Sequence, residues 1–248
     1  MAGAAIMCGK AALRSGTGLV HMVVPKEIYP IVAGQLTEPI YTVLYQEHML
    51  QQLDEAMEKA TACVIGCGMG TSETAKLILT YVLKHFRHPI VLDADALNIL
   101  SKNRNWLSES MIPTVITPHM KELSRLTGHN IQYLKENLVQ VCEAFTREYG
   151  VICIAKDTRT MIIDNFETIY INLSGNNGMS TGGSGDILTG MIAGLCGQHM
   201  PLNQAARLGV YLHGRAGDIA ASSKGFHSMT ASDVLNAIPE LLKKITMN

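Results

Sequence analysis

Apolar residues recur along much of the chain at the spacings of three and four that one face of a helix requires. In the region 187–195, for example, Ile187, Leu188, Met191, Ile192 and Leu195 fall on one face. Comparable patterns predict further helices on both sides of this region. The predicted helices cover 2–14, 27–33, 50–60, 73–84, 118–128, 130–149, 187–195, 202–221 and 230–245, with one more short helix after Asp95.

Short apolar runs separate these helices and predict strands, because several of them are rich in β-branched residues. The predicted strands cover 19–25, 39–44, 61–65, 89–92, 114–116, 151–156, 160–163 and 168–173. A turn at Asp164 and Asn165 joins the last two. Since helices and strands follow one another in turn, the pattern predicts an α/β fold.

The stretch from Ser174 to Leu195 joins a glycine-rich loop to the apolar helix. Five glycines precede Asp186, and the first helical turn holds Gly185 and Asp186. Free N–H groups at a helix start attract anions, and glycines let a phosphate approach the backbone closely. A carboxylate beside a phosphate repels it unless it has a task such as taking a proton from an attacking hydroxyl. We therefore interpret the stretch as a phosphate site with Asp186 as the base, rather than as a flexible loop whose aspartate complements the helix dipole.

Two further features follow predicted strands. The segment GCGMGTS (66–72) lies at a turn from strand to helix, where either ligand binding or a plain tight turn explains its glycines. Asp93 and Asp95 follow the strand at 89–92 and indicate the rim of a site. For Asp95 the equal alternative is that it caps the next helix, which Asn98 would then end.

A histidine and a lysine also follow predicted strands. Pro118 is placed at the first position of a helix, so His119 lies in its first turn and could reach a ligand, although a solitary histidine is usually structural. Lys156 ends an apolar strand, where it either extends along the surface into water or points at an anion. Thr230 and Asp233 fit a structural capping box.

Composition and charge restrict the class of protein. The 248 residues suit one large α/β domain, and a charged fraction of 17% favours a surface partly covered by a partner subunit. The net charge of −1 gives no field for nucleic acid. The sequence shows neither a charged leader followed by an apolar segment nor an apolar run of about eighteen residues. We therefore expect neither a signal peptide nor a membrane span. The six cysteines form no CxxC pair, so we expect buried thiols and a cytoplasmic protein.

Motifs follow one another along the chain in a characteristic order: GAAI, AALRSGTGLV, VIGCGMG, VLDADALN, ITPHMKELSRL, AKDTRT and GNNGMSTGGSGDILTGMIAGL. Together they resemble the ADP-dependent NAD(P)H-hydrate dehydratases of the ribokinase-like superfamily, from Gly3 to about Pro239. The resemblance implies a three-layer sandwich with a mostly parallel sheet and helices on both faces. It also implies an active site at the carboxyl ends of the strands and a homo-oligomer, with a tetramer expected.

The family reaction dehydrates NADHX or NADPHX, in which water has added to the nicotinamide ring, and converts ADP to AMP and phosphate. The resemblance makes Asp186 the base and ADP the co-substrate. Mg²⁺ is expected because a polyphosphate needs its charge neutralised, and no protein metal ligand is assigned. Hydrate-binding positions fall on Ala4, Ala5, Gly68, Gly70, His119 and Asp186. Nucleotide-binding positions fall on Lys156, Thr158, Arg159, Thr160 and Gly185. The phosphate cradle consists of the amides of Thr181, Gly182, Gly183, Ser184 and Gly185.

Three departures from the family pattern accompany the resemblance. A first strand and glycine turn normally precede GAA, and Asp157 stands where glycine is common. With no epimerase domain ahead of GAA, we expect a separate epimerase protein.

Two alternative functions remain. One is a superfamily kinase acting on a hydroxyethylthiazole or hydroxymethylpyrimidine alcohol, and the other is a nucleotide-binding subunit without activity. The motifs PHMKE and GMSTGGSGD favour the dehydratase.

Overall fold

The computed structural model describes residues 1–164 and 169–246. Its strands form a six-stranded sheet in the order β3-β4-β5-β6-β7-β8 and a separate parallel pair, β1-β2. Neighbours from β3 to β6 are parallel, whereas β7 is antiparallel to both β6 and β8. The strands are β1 His21–Pro25, β2 Ile40–Leu44, β3 Cys63–Ile65, β4 Ile90–Leu92, β5 Thr114–Ile116, β6 Val151–Ala155, β7 Met161–Ile163 and β8 Ile169–Ile171.

Helices lie between and after these strands. They are α1 Ala2–Arg14, α2 Tyr29–Gln35, α3 Met49–Glu58, α4 Glu73–His85, α5 Asp95–Leu100, α6 Asn105–Ser108, α7 Met120–Thr127, α8 Ile131–Tyr149, α9 Ser184–Gly197, α10 Leu202–Lys224 and α11 Ala231–Thr246. In the described part of the chain, no helix is both long and apolar enough to cross a membrane.

Alternate residues of the central strands face opposite layers of helices. In β4, Ile90 and Leu92 pack in one core cluster with residues of α4, α5, α7 and α8. Val91 belongs to a second cluster with residues of α9 and α10. This period of two places helices on both faces of a mostly parallel sheet, so the predicted α/β sandwich is confirmed.

The predicted strands are confirmed as elements, although most are shorter by one or two residues at an end. The periodic helices are confirmed as well. The short helix α6 and the separation of β1-β2 from the larger sheet were not predicted. Asn165 of the predicted turn and Thr168 of the last predicted strand lie outside the described residues.

Glycines allow α9 to approach α1 closely. A Cβ built on Gly190 would lie 2.1 Å from Cys8 O, and one on Gly194 would lie 2.9 Å from Ala12 O. Contacts this short leave no room for a side chain on that face of α9. The α1 contact therefore fixes the position of the helix whose first turn holds Asp186.

We predict that Gly190→Ala lowers the free energy of unfolding by roughly 1–3 kcal/mol, because a methyl group there overpacks the α1-α9 contact. Chemical denaturation measures the change. The matched control is Gly34→Ala in α2, where a Cβ meets no atom of the described residues within 4 Å. This variant should be neutral or more stable by up to about 1 kcal/mol. Equal stabilities of the two variants would contradict the close approach.

Candidate active site

The candidate site lies where four adjacent parallel strands end. The turn 66–70 follows β3, Asp93 follows β4, His119 comes three residues after β5, and Lys156 follows β6. Lys156 N donates to Pro118 O at 2.8 Å, and His119 pairs with Lys156 in an isolated parallel bridge. Because the carboxyl ends of these strands meet at one edge, the topology brings together residues that are far apart in sequence.

A buried ion pair lies at the centre of this edge. Lys156 Nζ donates to Asp93 Oδ1 at 2.9 Å, and Thr189 Oγ1 donates to Asp93 Oδ2 at 2.7 Å. Asp93 is 2% exposed. Burial alone would lower the pKa of Lys156, but Asp93 and Glu122 raise it overall, so the ammonium stays charged. Lys156 therefore points at an anion, Asp93, and does not extend along the surface into water.

The Lys156 ammonium also lies against the first turn of α9. A Cβ built on Gly185 would lie 3.2 Å from Lys156 Nζ and 3.7 Å from Asp93 Oδ2. Gly183, which caps α9, has a φ of 93°, in the left-handed region that favours glycine. The glycines before Asp186 thus serve two needs, a left-handed cap and close approach to the ion pair.

Three of the five amides in the predicted cradle have no acceptor among the residues that the structure describes. Thr181 N donates to Met179 O at 2.8 Å and Ser184 N to Thr181 O at 3.3 Å. Within residues 1–164 and 169–246, the amides of Gly182, Gly183 and Gly185 have no hydrogen-bond acceptor. Free amides at the start of a 14-residue helix favour an anion at this point.

Asp186 is half-buried in the first turn of α9. The pKa of Asp186 is raised, chiefly by burial and further by the negative charge of Asp93. A hydrogen bond with the Cys67 thiol and the charge of Lys156 oppose this shift without cancelling it. A carboxylate with a raised pKa is a stronger base than an exposed aspartate. The position suits a group that accepts a proton next to a bound anion.

The turn 66–70 is fixed by Asp95 and packs on α1. Asp95 Oδ2 accepts a hydrogen bond from Gly70 N at 2.7 Å. A Cβ on Gly68, whose φ is 69°, would lie 3.0 Å from Ala4 Cβ. Ala4 is buried behind the turn and Ala5 is half-buried. The capping alternative for Asp95 is wrong, because its side chain holds the turn; Asn98 lies within α5, and its Oδ1 accepts from Arg125 at 2.7 Å.

The placement of Pro118 at the first helical position is wrong, because α7 begins at Met120 and His119 is its N-cap. His119 Nδ1 accepts from Lys121 N at 3.1 Å and Glu122 N at 3.2 Å, and Glu122 Oε2 accepts from His119 N at 2.9 Å. Burial and the charge of Lys156 lower the pKa of His119. The structural role expected of a solitary histidine is present, while 48% of the side chain stays exposed beside the site.

The remaining predicted nucleotide residues lie on the bend after Lys156. Thr158 and Arg159 are exposed, and Thr160 O accepts from Asn172 N at 2.9 Å. Sequence reasoning missed Thr189, Glu122 and Cys67 as neighbours of the site. The spacing from Gly185 to Thr189 is one helical turn, so the periodicity of α9 could have placed Thr189 on the same side.

A family model described as NAD(P)H-hydrate dehydratase matches residues 1–240. The chain belongs to this family. A bifunctional NAD(P)H-hydrate repair enzyme Nnr from Moorella thermoacetica is 36% identical over 99% of the chain, which spans 48% of that relative. An ADP-dependent (S)-NAD(P)H-hydrate dehydratase from Neisseria meningitidis is 33% identical over 99% of the chain and is itself covered to 82%. The chain thus spans about half the length of the bifunctional relatives.

Solved structures confirm the ribokinase-like fold. An ADP/ATP-dependent NAD(P)H-hydrate dehydratase from Bacillus subtilis, co-crystallised with ATP/Mg²⁺, has a TM-score of 0.84 at 26% identity, covering 98% of this chain and 85% of that one. A ribokinase-like superfamily protein from Enterococcus faecalis has a TM-score of 0.87 at 28% identity, covering 98% and 82%. A hydroxyethylthiazole kinase from Pyrococcus horikoshii shares the fold alone, with a TM-score of 0.67 at 16% identity over 94% and 92% of the two chains.

We predict that Asp93→Asn in this family member lowers the free energy of unfolding by about 3 kcal/mol, because the change leaves the buried Lys156 ammonium unpaired. Adding Lys156→Met should recover a large part of the loss, since neither charge of this pair then remains. Chemical denaturation of both variants measures the two effects.

The matched control is Glu73→Gln in the exposed pair with Lys76, where the carboxylate side chain is 89% exposed. This change should cost no more than about 1 kcal/mol. A comparable cost for the exposed and buried pairs, or no recovery in the double variant, would contradict this account of the ion pair.

Proposed function

We propose that this chain is an ADP-dependent NAD(P)H-hydrate dehydratase, which restores NADH or NADPH from NADHX or NADPHX and converts ADP to AMP and phosphate. The observation that carries the proposal is the first turn of α9, where Asp186 lies next to free amides and a fixed lysine. Acid, amides and cation are the groups that phosphoryl transfer to a hydroxyl requires. The names of the Neisseria and Bacillus relatives support the same activity.

The reaction begins with activation of a poor leaving group. Asp186 accepts the proton of the ring hydroxyl while the hydroxyl oxygen forms a bond to the terminal phosphorus of ADP. The bond between that phosphorus and the AMP oxygen breaks, and AMP leaves. The hydroxyl is then a phosphate ester. Electrons from the ring nitrogen expel phosphate, and loss of a proton from the neighbouring carbon restores the reduced ring. The elements of water thus leave the ring separately. The hydroxyl oxygen leaves within the phosphate, and one proton comes from the hydroxyl and the other from the ring carbon.

Residues of this chain would hold the reacting groups in place. The free amides of Gly182, Gly183 and Gly185 would donate to the transferring phosphate, and Lys156 would stabilise its charge while Asp93 fixes the ammonium. We assign the hydrate to the side of the site that holds His119 and the turn 66–70, with Gly68 and Gly70 of the turn and Ala4 and Ala5 of α1 as its predicted binding positions. The nucleotide is assigned to Lys156, Thr158, Arg159, Thr160 and Gly185.

Mg²⁺ fits this site as an ion that arrives with the nucleotide. Among the described residues, no group of three histidines, cysteines or acids could hold a metal ion by itself. Mg²⁺ usually keeps several waters and binds through phosphates with one or two carboxylates, so no protein cage is needed. When bound, the ion would neutralise phosphate charge.

The wider setting of the enzyme is also part of the proposal. We expect residues 1–248 to act as one domain within a homo-oligomer, most simply a tetramer. Interconversion of hydrate epimers would be supplied by an epimerase outside these residues. A cytoplasmic location remains a prediction from the sequence.

The deciding experiment follows recovery of the reduced nicotinamide spectrum from NADHX with ADP or ATP present, together with release of AMP and phosphate. We expect stoichiometric formation of reduced cofactor, AMP and phosphate when ADP is supplied. The control replaces NADHX with hydroxyethylthiazole and hydroxymethylpyrimidine alcohols. Phosphorylation of an alcohol, without recovery of NADH from NADHX, would contradict the dehydratase and support a kinase.

We predict that Asp186→Asn binds ADP about as well as the wild type but loses roughly 10²–10⁴-fold in rate, because the amide keeps the shape and lacks the base. Single-turnover kinetics separate the chemical step from binding.

The activity of the wild type should depend on the protonation of Asp186. Because the base must be unprotonated and its pKa is raised, activity should fall as the pH drops through that pKa. The variant should lack this acid limb. A folded variant that keeps most of its single-turnover rate would show that Asp186 is only a charge at the helix end.

A further inference from the structure

Helix α10 presents four residues to the loop that leads into α9. His213, Gly214, Gly217 and Asp218 have the spacing of one helix face over two turns. We call residues 174–184, which include the first residue of α9, the glycine loop, and Thr181–Gly185 the cradle. No residue of α10 belongs to the site described above, yet this face contacts the glycine loop at its start, its middle and its end.

The start of the glycine loop is held by main-chain and side-chain hydrogen bonds. The Asp218 carboxylate accepts from Gly175 N and Asn176 Nδ2, both at 3.2 Å. Ser174 Oγ donates to Tyr211 O at 3.0 Å. Because Asp218 accepts from the loop backbone itself, it restricts the path of the chain as well as the position of a side chain.

The start and the middle of the glycine loop lie directly on two glycines of α10. A Cβ on Gly214 would lie 2.2 Å from Ser174 Oγ, and one on Gly217 would lie 2.2 Å from Met179 Sδ. A Cβ on Gly214 would also lie 2.7 Å from the main-chain carbon of Ser174, so a side chain there would collide with the backbone, whereas the atoms close to Gly217 belong to the Met179 side chain. The two glycines therefore let the loop approach the helix axis, where the polar residues on either side of them can reach it.

The end of the glycine loop is held by a buried histidine. His213 Nε2 lies 3.3 Å from Ser184 Oγ, and the two residues are 8% and 7% exposed. Burial lowers the pKa of His213 to about 4, although a hydrogen bond with the Ser184 main chain opposes the shift. The imidazole is therefore neutral at neutral pH, with one donor and one acceptor nitrogen.

The contact with Ser184 bears directly on the free amides. Ser184 is the first residue of α9, and the amides on either side of it, at Gly183 and Gly185, have no acceptor in the described part of the chain. Fixing Ser184 fixes the direction of both. A displacement of about 1 Å in groups that position a reacting phosphate can lower the reaction rate by about 10²-fold.

We propose that the His213–Asp218 face of α10 shapes the cradle and that His213 is a positioning residue, acting through Ser184 on the phosphate that ADP has and AMP lacks. This inference rests on the proposed function for the location of that phosphate. It assigns the HGRAGD segment of α10 a role in nucleotide discrimination, although the segment lies outside the nucleotide-binding residues.

The test is calorimetric titration of the full chain with ADP and with AMP. We expect His213→Leu to weaken ADP binding about tenfold or more, because charge-assisted hydrogen bonds to the terminal phosphate lose their alignment. AMP affinity should change by less than about twofold, because AMP has no phosphate in the cradle. His213→Gln, whose amide nitrogen reaches close to the Nε2 position, should restore ADP binding to within about threefold of the wild type.

A general loss of stability would not separate the two nucleotides. The matched control is Thr146→Val in α8, which removes a buried hydroxyl that bonds to Glu143 O within its own helix. It should leave both affinities unchanged. If His213→Leu does not fold, Ser184→Ala tests the same contact from its other side and should weaken ADP binding while sparing AMP.

Parallel loss of ADP and AMP affinity, unchanged ADP affinity in His213→Leu, or a glutamine variant as weak as the leucine variant would overturn the positioning role. A wild type that binds ADP no better than AMP would overturn it as well. If the wild type shows the expected nucleotide pattern but does not dehydrate NADHX, the proposed function fails while the positioning role stands.

Discussion

The buried pair of Asp93 and Lys156 joins the parts of the fold that form the site. Asp93 follows β4 and Lys156 follows β6, while Thr189 of α9 donates to the same carboxylate. One carboxylate thus ties two strand ends to the helix that holds the predicted base. Removing charges from water is costly, and a buried pair often contributes little net stability. We infer that this pair contributes geometry, because it holds an ammonium next to the free amides of α9.

Local sequence predicted the parts of the site that depend on local structure. The apolar period of α9 and the glycines before Asp186 placed that residue in a first helical turn, which is where it lies. The ends of β4 and β6 were also found, because short apolar runs mark buried strands. In each of these cases the signal lies within a few residues of the feature that it predicts.

Tertiary contacts could not be predicted in the same way. Asp93 and Lys156 lie 63 positions apart, and Asp95 bonds to Gly70 across 25 positions, so no local pattern connects the partners. The start of α7 was misplaced for a local reason, since proline is favoured at the first helical position and histidine is an unusual cap. The reciprocal bonds between His119 and Glu122 decide that boundary.

Charge at the site also constrains how a nucleotide can bind. The charges of Asp93 and Glu122 act on the Lys156 ammonium, and the pKa of Asp186 is raised by burial first and then by the charges of Asp93 and Asp95. A phosphate brings further negative charge into this group, and three free amides offset only part of it. A divalent cation that enters with the phosphates would remove the remaining repulsion and lower the pKa of Asp186, which would keep the base ionised while the hydroxyl attacks. On this argument the acidic surroundings of Asp186 favour phosphate that carries its own cation over phosphate alone.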